Sequence, residues 1–219
     1  MFISSLFVRT FCYYMGMDKD TNKVTLDAYE SGLEQYNAAA VTTVSGSVKD
    51  WVDASLAMLS PGSHILEIGS AHGRDAKYIE SKGFKVDRTD AVNSFVEYMR
   101  KQGYQSRPLN ALTDDLGGPY DMIFANAVLL HFTVEQTKAV LMKIRYALKP
   151  QGLLSFSVKV GEGSGWSNAK LNSARFYTYW QEQPLKQLLN STGYATKYFE
   201  EGQTGHDNKE WFHVIASRS

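Results

Sequence analysis

The sequence predicts an α/β fold, an open and mostly parallel sheet with helices on both faces. Short apolar runs at residues 64–69, 85–90, 107–110, 121–125 and 153–159 alternate with helix-length segments or short loops, the rhythm of strands joined by crossovers. Such a sheet carries helices on both faces because each buried strand needs cover on two sides. With 219 residues, 43% of them hydrophobic and 21% charged, the chain has enough apolar surface for one sizeable core and no internal repeat to divide it.

The first 17 residues are apolar, yet they lack a basic start, are interrupted by Arg9 and are shorter than the roughly 20 residues that span a bilayer. Residues 1–23 are therefore expected to form an extension, loosely ordered or an artefact of start-site choice. The domain is expected over 24–219, with 24–59 as a helical lead-in or lid. Leu26, Tyr29, Leu33 and Tyr36 recur at 3-4-3 spacing and predict a helix over 24–40. A second helix begins near Ser47 as N-cap, presents Val48, Trp51, Val52, Leu56 and Leu59, and stops at Pro61-Gly62. After the fifth run, 184–192 reads as a helix, and 194–200 and 211–217 as an antiparallel terminal pair of strands around the turn-rich GQTGHDN.

Twenty-three basic and 23 acidic residues leave no net charge, which removes the broad positive field of a general nucleic-acid binder. A single cysteine, Cys12, cannot close an internal disulfide and points to a reducing, cytoplasmic setting. The histidines at 64, 72, 131, 206 and 213 lack ligand spacing, so no metal site is expected.

The segment HILEIGSAHGRDAKYIESKGFKVDRTD, residues 64–90, reads strand, glycine-containing turn, helix, strand, and ends in an acid. A nucleotide-like ligand belongs at the carboxyl end of the first strand of such a sheet, where glycine admits the backbone and a helix start offers N–H groups. The dinucleotide fingerprint needs glycine at three places, and this turn holds Gly69, Ala71 and Arg74 there. What remains is Glu67-x-Gly69-x-x-x-Gly73 with Asp90 21 residues beyond Gly69, a carboxylate able to accept both ribose hydroxyls.

LEIGSAHGRD, Asp90, YDMIFANAVLLHF and LKPQGLLSFSVK together resemble the class I S-adenosylmethionine-dependent methyltransferases over roughly residues 60–218. The resemblance implies a Rossmann-like, doubly wound seven-stranded sheet with an antiparallel last strand, and S-adenosyl-L-methionine as cofactor. It implies that Gly69, Ser70 and Gly73 border the methionine part, with Glu67 near the ammonium and Asp90 on the ribose. Asn110 and Ala111 would take the adenine end, and Asn126 would join the cofactor site after the fourth strand. An N-terminal helix closes over the cofactor in similar enzymes, which gives Tyr29 and Tyr36 as covers. A ring face there would attract the sulfonium.

Carbon-5 cytosine methylation needs a cysteine nucleophile after a strand, and Cys12 lies far outside the core segments. Enzymes acting on adenine or glutamine nitrogens carry Asn/Asp-Pro-Pro-aromatic after the fourth strand, where this chain has Asn126-Ala127-Val128-Leu129. A small-molecule acceptor methylated at oxygen, nitrogen or sulfur is the expectation. His131 could serve as base or hydrogen-bond partner, since imidazole titrates near neutral pH. Ten of the 28 aromatic residues fall in the last 54 positions. Trp166, Arg175, Tyr177, Tyr179 and Trp180 lie on an expected loop after the fifth strand, where an aromatic lid would face a planar or anionic acceptor. Two other readings stay open on the sequence: a nicotinamide-dependent oxidoreductase, and a catalytically silent cofactor-binding or scaffold subunit.

Overall fold

A computed structural model describes residues 21–169, 171–203 and 210–219. Cys12, His206, residues 1–20 of the expected extension and most of the GQTGHDN turn lie outside the described residues. Three helices lead in: α1 (Thr21–Ser31), α2 (Leu33–Ala38) and α3 (Gly46–Ala57). Strands and helices then alternate through β1 (His64–Ile68), α4 (Arg74–Ser81), β2 (Lys85–Asp90), α5 (Asn93–Lys101), β3 (Ser106–Pro108) and β4 (Tyr120–Ala125). A 3-10 turn at Leu129–His131 leads into α6 (Val134–Ala147) and β5 (Leu148–Lys159). The chain continues through the hairpin of β6 (Ser164–Ser167) and β7 (Arg175–Thr178), α7 (Glu182–Ser191), β8 (Tyr194–Gln203) and β9 (Glu210–Arg218).

The main sheet has seven strands in the order β3-β2-β1-β4-β5-β9-β8. The pairings from β3 through β5 are parallel, and β9 runs antiparallel between β5 and β8. This is the expected Rossmann-like sheet with its antiparallel last strand. Strand parity distributes the core. Ile65, Met122, Phe124, Leu153 and Ile215 face one side, where they meet Trp51, Val52 and Leu56 of α3 and Ala76 and Ile79 of α4. Leu66, Ile68, Ile123, Ala125, Leu154, Phe156, Val214 and Ala216 face the other, under Val140, Leu141 and Ile144 of α6 and Leu185 and Leu189 of α7. Among the described residues no helix is long and apolar enough to cross a membrane.

Four local expectations need correction. The helix expected over 24–40 breaks at Gly32 into α1 and α2, since glycine is a poor helix former and a side chain there would press on the Ala28 carbonyl and Leu171. Ser45, in extended conformation, stands at the N-cap of α3 instead of Ser47, and its side chain makes no capping bond. Strand β5 starts at Leu148, ahead of Pro150, because Gln151 at a φ of 64° turns the chain while pairing with β4 resumes at Leu153. The expected loop carrying Trp166 and Arg175 is the β6–β7 hairpin, whose alternation was masked by Gly and Ser at three of the four β6 positions.

Trp51 is fully buried, stacking on Phe124 at 4.8 Å and His213 at 5.0 Å between ring centroids. Trp51→Ala removes the anchor between α3 and the sheet. It is expected to cost about 3–5 kcal/mol in urea unfolding; a loss under about 1 kcal/mol would show that α3 is not held through this ring.

Candidate active site

The carboxyl ends of β1, β2 and β4 open on a cavity of about 840 Å³, within the range of small-molecule and cofactor sites. Its floor is the turn after β1. Gly69 has a φ of 75°, and a Cβ there would overlap the Val128 side chain. Gly73, at a φ of 83°, forms the N-cap of α4 and shapes the turn without lining the cavity. Ala71 takes a φ of 48°, a position that costs an L side chain energy.

Hydrogen bonds to β2 hold that conformation. The Ser70 N–H donates to the Thr89 carbonyl at 2.9 Å, and the Thr89 N–H donates to Ser70 Oγ at 3.2 Å. Asp90, buried at the end of β2, accepts the Ala71 N–H on Oδ2 and the Val92 N–H on Oδ1, both at 2.9 Å. Burial outweighs these bonds and raises its carboxyl to about 6. Asp90 lines the cavity.

Glu67 does not line the cavity. It is 2% exposed, accepts the Ser70 hydroxyl and is pushed above the usual carboxylate range, first by burial and then by the nearby Asp75. Glu67, expected near the ammonium, thus braces the turn instead, and Asp75 joins Asp90 as an acid on the cavity wall. Asp75 accepts Arg74 Nε at 2.7 Å and Asn126 Nδ2 at 2.8 Å. Asn126 in turn accepts the Ser157 hydroxyl at 2.6 Å, and Ser157 Oγ accepts the Ala127 N–H at 2.9 Å. At the far side Asn110 donates to Asn22 Oδ1 at 2.8 Å and accepts the Leu112 N–H at 3.0 Å, with Ala111 beside it on the wall.

The roof is built by α1, α2 and the hairpin. Tyr29 and Tyr36 lie on separate helices, yet their rings meet edge to face at 5.9 Å and both pack on Phe95. Burial raises both phenols. His131 Nδ1 lies 2.7 Å from the Phe176 carbonyl, which can only accept, so the proton sits on Nδ1. Nε2 is then the acceptor of the Tyr29 hydroxyl at 2.9 Å, and Tyr29 Oη accepts Arg175 Nη1 at 3.2 Å. Burial, followed by the positive charges of Arg175 and Lys159, lowers the imidazole to about 3 despite the Phe176 bond. Of the two roles foreseen for His131, hydrogen-bond partner fits this geometry, because its basic nitrogen is already engaged.

Tyr177 and Tyr179 stack at 6.3 Å on the same wall as Arg175. Trp166 is not brought in: it is exposed and packs edge-on against Phe176 outside the cavity, while Trp180 belongs to the core. Sequence reasoning missed Asp75, Lys159 and Phe95, which all line the cavity. The phase of α4 could have found Asp75 two residues after Gly73, and Lys159 sits where the carboxyl end of a parallel strand delivers residues to a site. No cluster of three metal-ligating side chains occurs among the described residues.

The sheet order sets a glycine turn after β1 beside an acid at the end of β2, both at one cavity. Residues 36–197 match the methyltransferase-domain family, and the chain belongs to it. Among solved structures it resembles 1,6-didemethyltoxoflavin-N1-methyltransferase of Burkholderia thailandensis with bound 1,6-didemethyltoxoflavin and S-adenosylhomocysteine. That match has TM-score 0.69 and 18% identity, and covers 90% of this chain and 87% of that one. It also resembles magnesium protoporphyrin IX methyltransferase of Synechocystis with S-adenosylhomocysteine, at TM-score 0.68 and 17% identity over 90% and 99% of the two chains. A third is an S-adenosylmethionine-dependent methyltransferase of Methanosarcina mazei, at TM-score 0.67 and 17% identity over 74% and 95%. A search of curated proteins finds no match.

Gly69→Ala places a methyl group against Val128 in a left-handed conformation, so it is expected to destabilise the fold by about 1–3 kcal/mol in chemical denaturation. Val128→Ala in the same chain should return part of that loss. Strict additivity of the two changes would show that these side chains do not meet.

Proposed function

We propose that the chain transfers a methyl group from S-adenosyl-L-methionine to an oxygen, nitrogen or sulfur atom of a small molecule. The observation that carries this reading is Asp90, a buried carboxylate that lines the cavity and accepts the Ala71 N–H of the glycine turn at 2.9 Å. That pair fits a ribose held beside an amino-acid tail. Gly69 lines the same cavity, and a Cβ there would overlap Val128. Family membership and neighbours crystallised with S-adenosylhomocysteine support the same cofactor. Nothing found supports the oxidoreductase alternative.

When bound, the cofactor supplies a methyl group on a positively charged sulfur. The chain then has to bind, orient and exclude water, and positioning of this kind can remove about 7–11 kcal/mol from a barrier. Gly69, Ser70 and Ala71 would take the methionine part, Asp75 with Asn126 its ammonium, Asp90 the ribose, and Asn110 with Ala111 the adenine. Tyr29 and Tyr36 close the roof, and His131 fixes the Tyr29 hydroxyl through Nε2. The expected lid over 24–59 fits the place of α1 and α2 above the cavity. A cytoplasmic location fits the single cysteine.

The raised Asp90 carboxyl gives a pH signature. Its folded value of about 6 lies above the unfolded 3.8. Its contribution to stability is therefore fully present below 3.8 and lost as pH rises through about 6, where the buried carboxylate ionises. Ribose hydroxyls donate to the ionised form, so S-adenosylhomocysteine affinity should fall as pH drops below about 6, with proton release on binding in that range. Calorimetry from pH 5 to 8 measures both. Asp90→Ala should weaken binding by about 1.5–3 kcal/mol, roughly 10- to 150-fold, and flatten the profile. Wild-type affinity in that variant, or no heat with folded wild-type protein, would refute the cofactor assignment.

A further inference from the structure

Arg175 is 2% exposed and lines the cavity, yet no ion pair joins it to a carboxylate among the described residues. Its Nη1 donates to Tyr29 Oη at 3.2 Å, while Nε is buried without a hydrogen-bond partner. The guanidinium lies over the rings of Tyr29 and Tyr177, at 5.3 and 5.4 Å from their centroids, contacts that steady a cation without neutralising it. Lys159 adds a second positive charge to the same wall, 4.7 Å above the Tyr177 ring. The acids on the cavity wall, Asp75 and Asp90, are at the glycine-turn end, where Arg74 already pairs with Asp75. Burying a cation without its counter-charge is expensive, and such groups persist where a ligand completes them.

We propose that Arg175 is a carboxylate-binding residue and that the methyl acceptor carries that carboxylate. This rests on the methyl-transfer reading above and names its substrate class. The Nε and Nη2 hydrogens form one edge of the guanidinium fork and match the two oxygens of a carboxylate. With Nη1 engaged by Tyr29, that edge holds the buried donor that no hydrogen bond satisfies, Nε. The stacked Tyr177 and Tyr179 rings beside it suit a planar body attached to the anionic group. The cofactor's own amino-acid tail is the other source of a carboxylate, and Arg74 lines the cavity directly after the turn that would take that tail.

The test uses the full chain saturated with S-adenosylhomocysteine and two probes of equal shape, benzoate and benzamide, followed by ligand-observed NMR titration. Benzoate is expected to bind at least about tenfold more tightly than benzamide, a margin of roughly 1.4 kcal/mol. Arg175→Gln should remove that margin while S-adenosylhomocysteine affinity stays within about threefold of wild type. Arg175→Lys keeps the charge but loses the two-pronged edge, and should reduce benzoate binding with the fold retained; it serves where the glutamine variant does not fold. Equal binding of the two probes by wild-type protein overturns the proposal. So does a loss of S-adenosylhomocysteine affinity in Arg175→Gln with the benzoate margin intact, which would assign the residue to the cofactor's tail. Failure of wild-type protein to bind S-adenosylhomocysteine would instead refute the underlying methyl-transfer reading, and is seen before either probe is added.

Discussion

The hydrogen bond from the Ala71 N–H to the Asp90 carboxylate is the constraint on which the rest of the site depends. It ties the turn leaving β1 to the end of β2, two strands already paired in parallel register with Ile68 opposite Thr89. Ser70 reinforces the tie by bonding Thr89 in both directions. Gly69 takes its positive φ freely, whereas Ala71 is held at one, a conformation that persists only where surrounding structure over-determines it. The same carboxylate fixes the start of α5 through the Val92 N–H. One buried acid thus sets the positions of three elements, at the cost of a raised carboxyl in the ligand-free protein.

Two kinds of material surround the cavity. The floor extends from the turn through Asp75, Asn126 and Ser157 to the Ala127 backbone, so the ends of β1, β4 and β5 share one polar frame. Side chains tie the roof together and to the 3-10 turn after β4: Thr25 Oγ1 accepts the Phe176 N–H, Tyr29 donates to His131, and His131 donates to the Phe176 carbonyl. Neutral bonds of this type contribute about 1 kcal/mol each, far less than the sheet they rest on.

The sheet was legible in the sequence because β1, β4 and β5 carry apolar runs at the spacing of strand–helix–strand units, and parity then assigns Leu66 and Ile68 to one face and Ile65 to the other. The turn and Asp90 were legible through spacing. The hairpin was not: Ser164, Gly165 and Ser167 carry no β signal, and β6 exists because β7 pairs with it. The break at Gly32 was hidden by a heptad-like spacing that continues across it, so Tyr29 and Tyr36 share a face in the sequence and meet in space by a different route. The proton arrangement at His131 could not be read at all, since it is set by the carbonyl of Phe176, 45 residues away.

Glu67 and Asp75 show where spacing stops and geometry takes over. Both are acids in one ten-residue motif, and Glu67 stands in the position a motif comparison favours. Its side chain, however, leaves β1 on the side of the sheet that packs α3 and α4, where Ile65 also points, and the hydroxyl of Ser70 is its partner. Asp75 occupies the first turn of α4, where the helix N-terminus favours negative charge and the chain has just left Gly73 in a left-handed conformation. That change of direction carries the carboxylate to the cavity wall and against Asn126. The glycine therefore selects which acid can meet a ligand, through the helix phase it starts, and without lining the cavity itself.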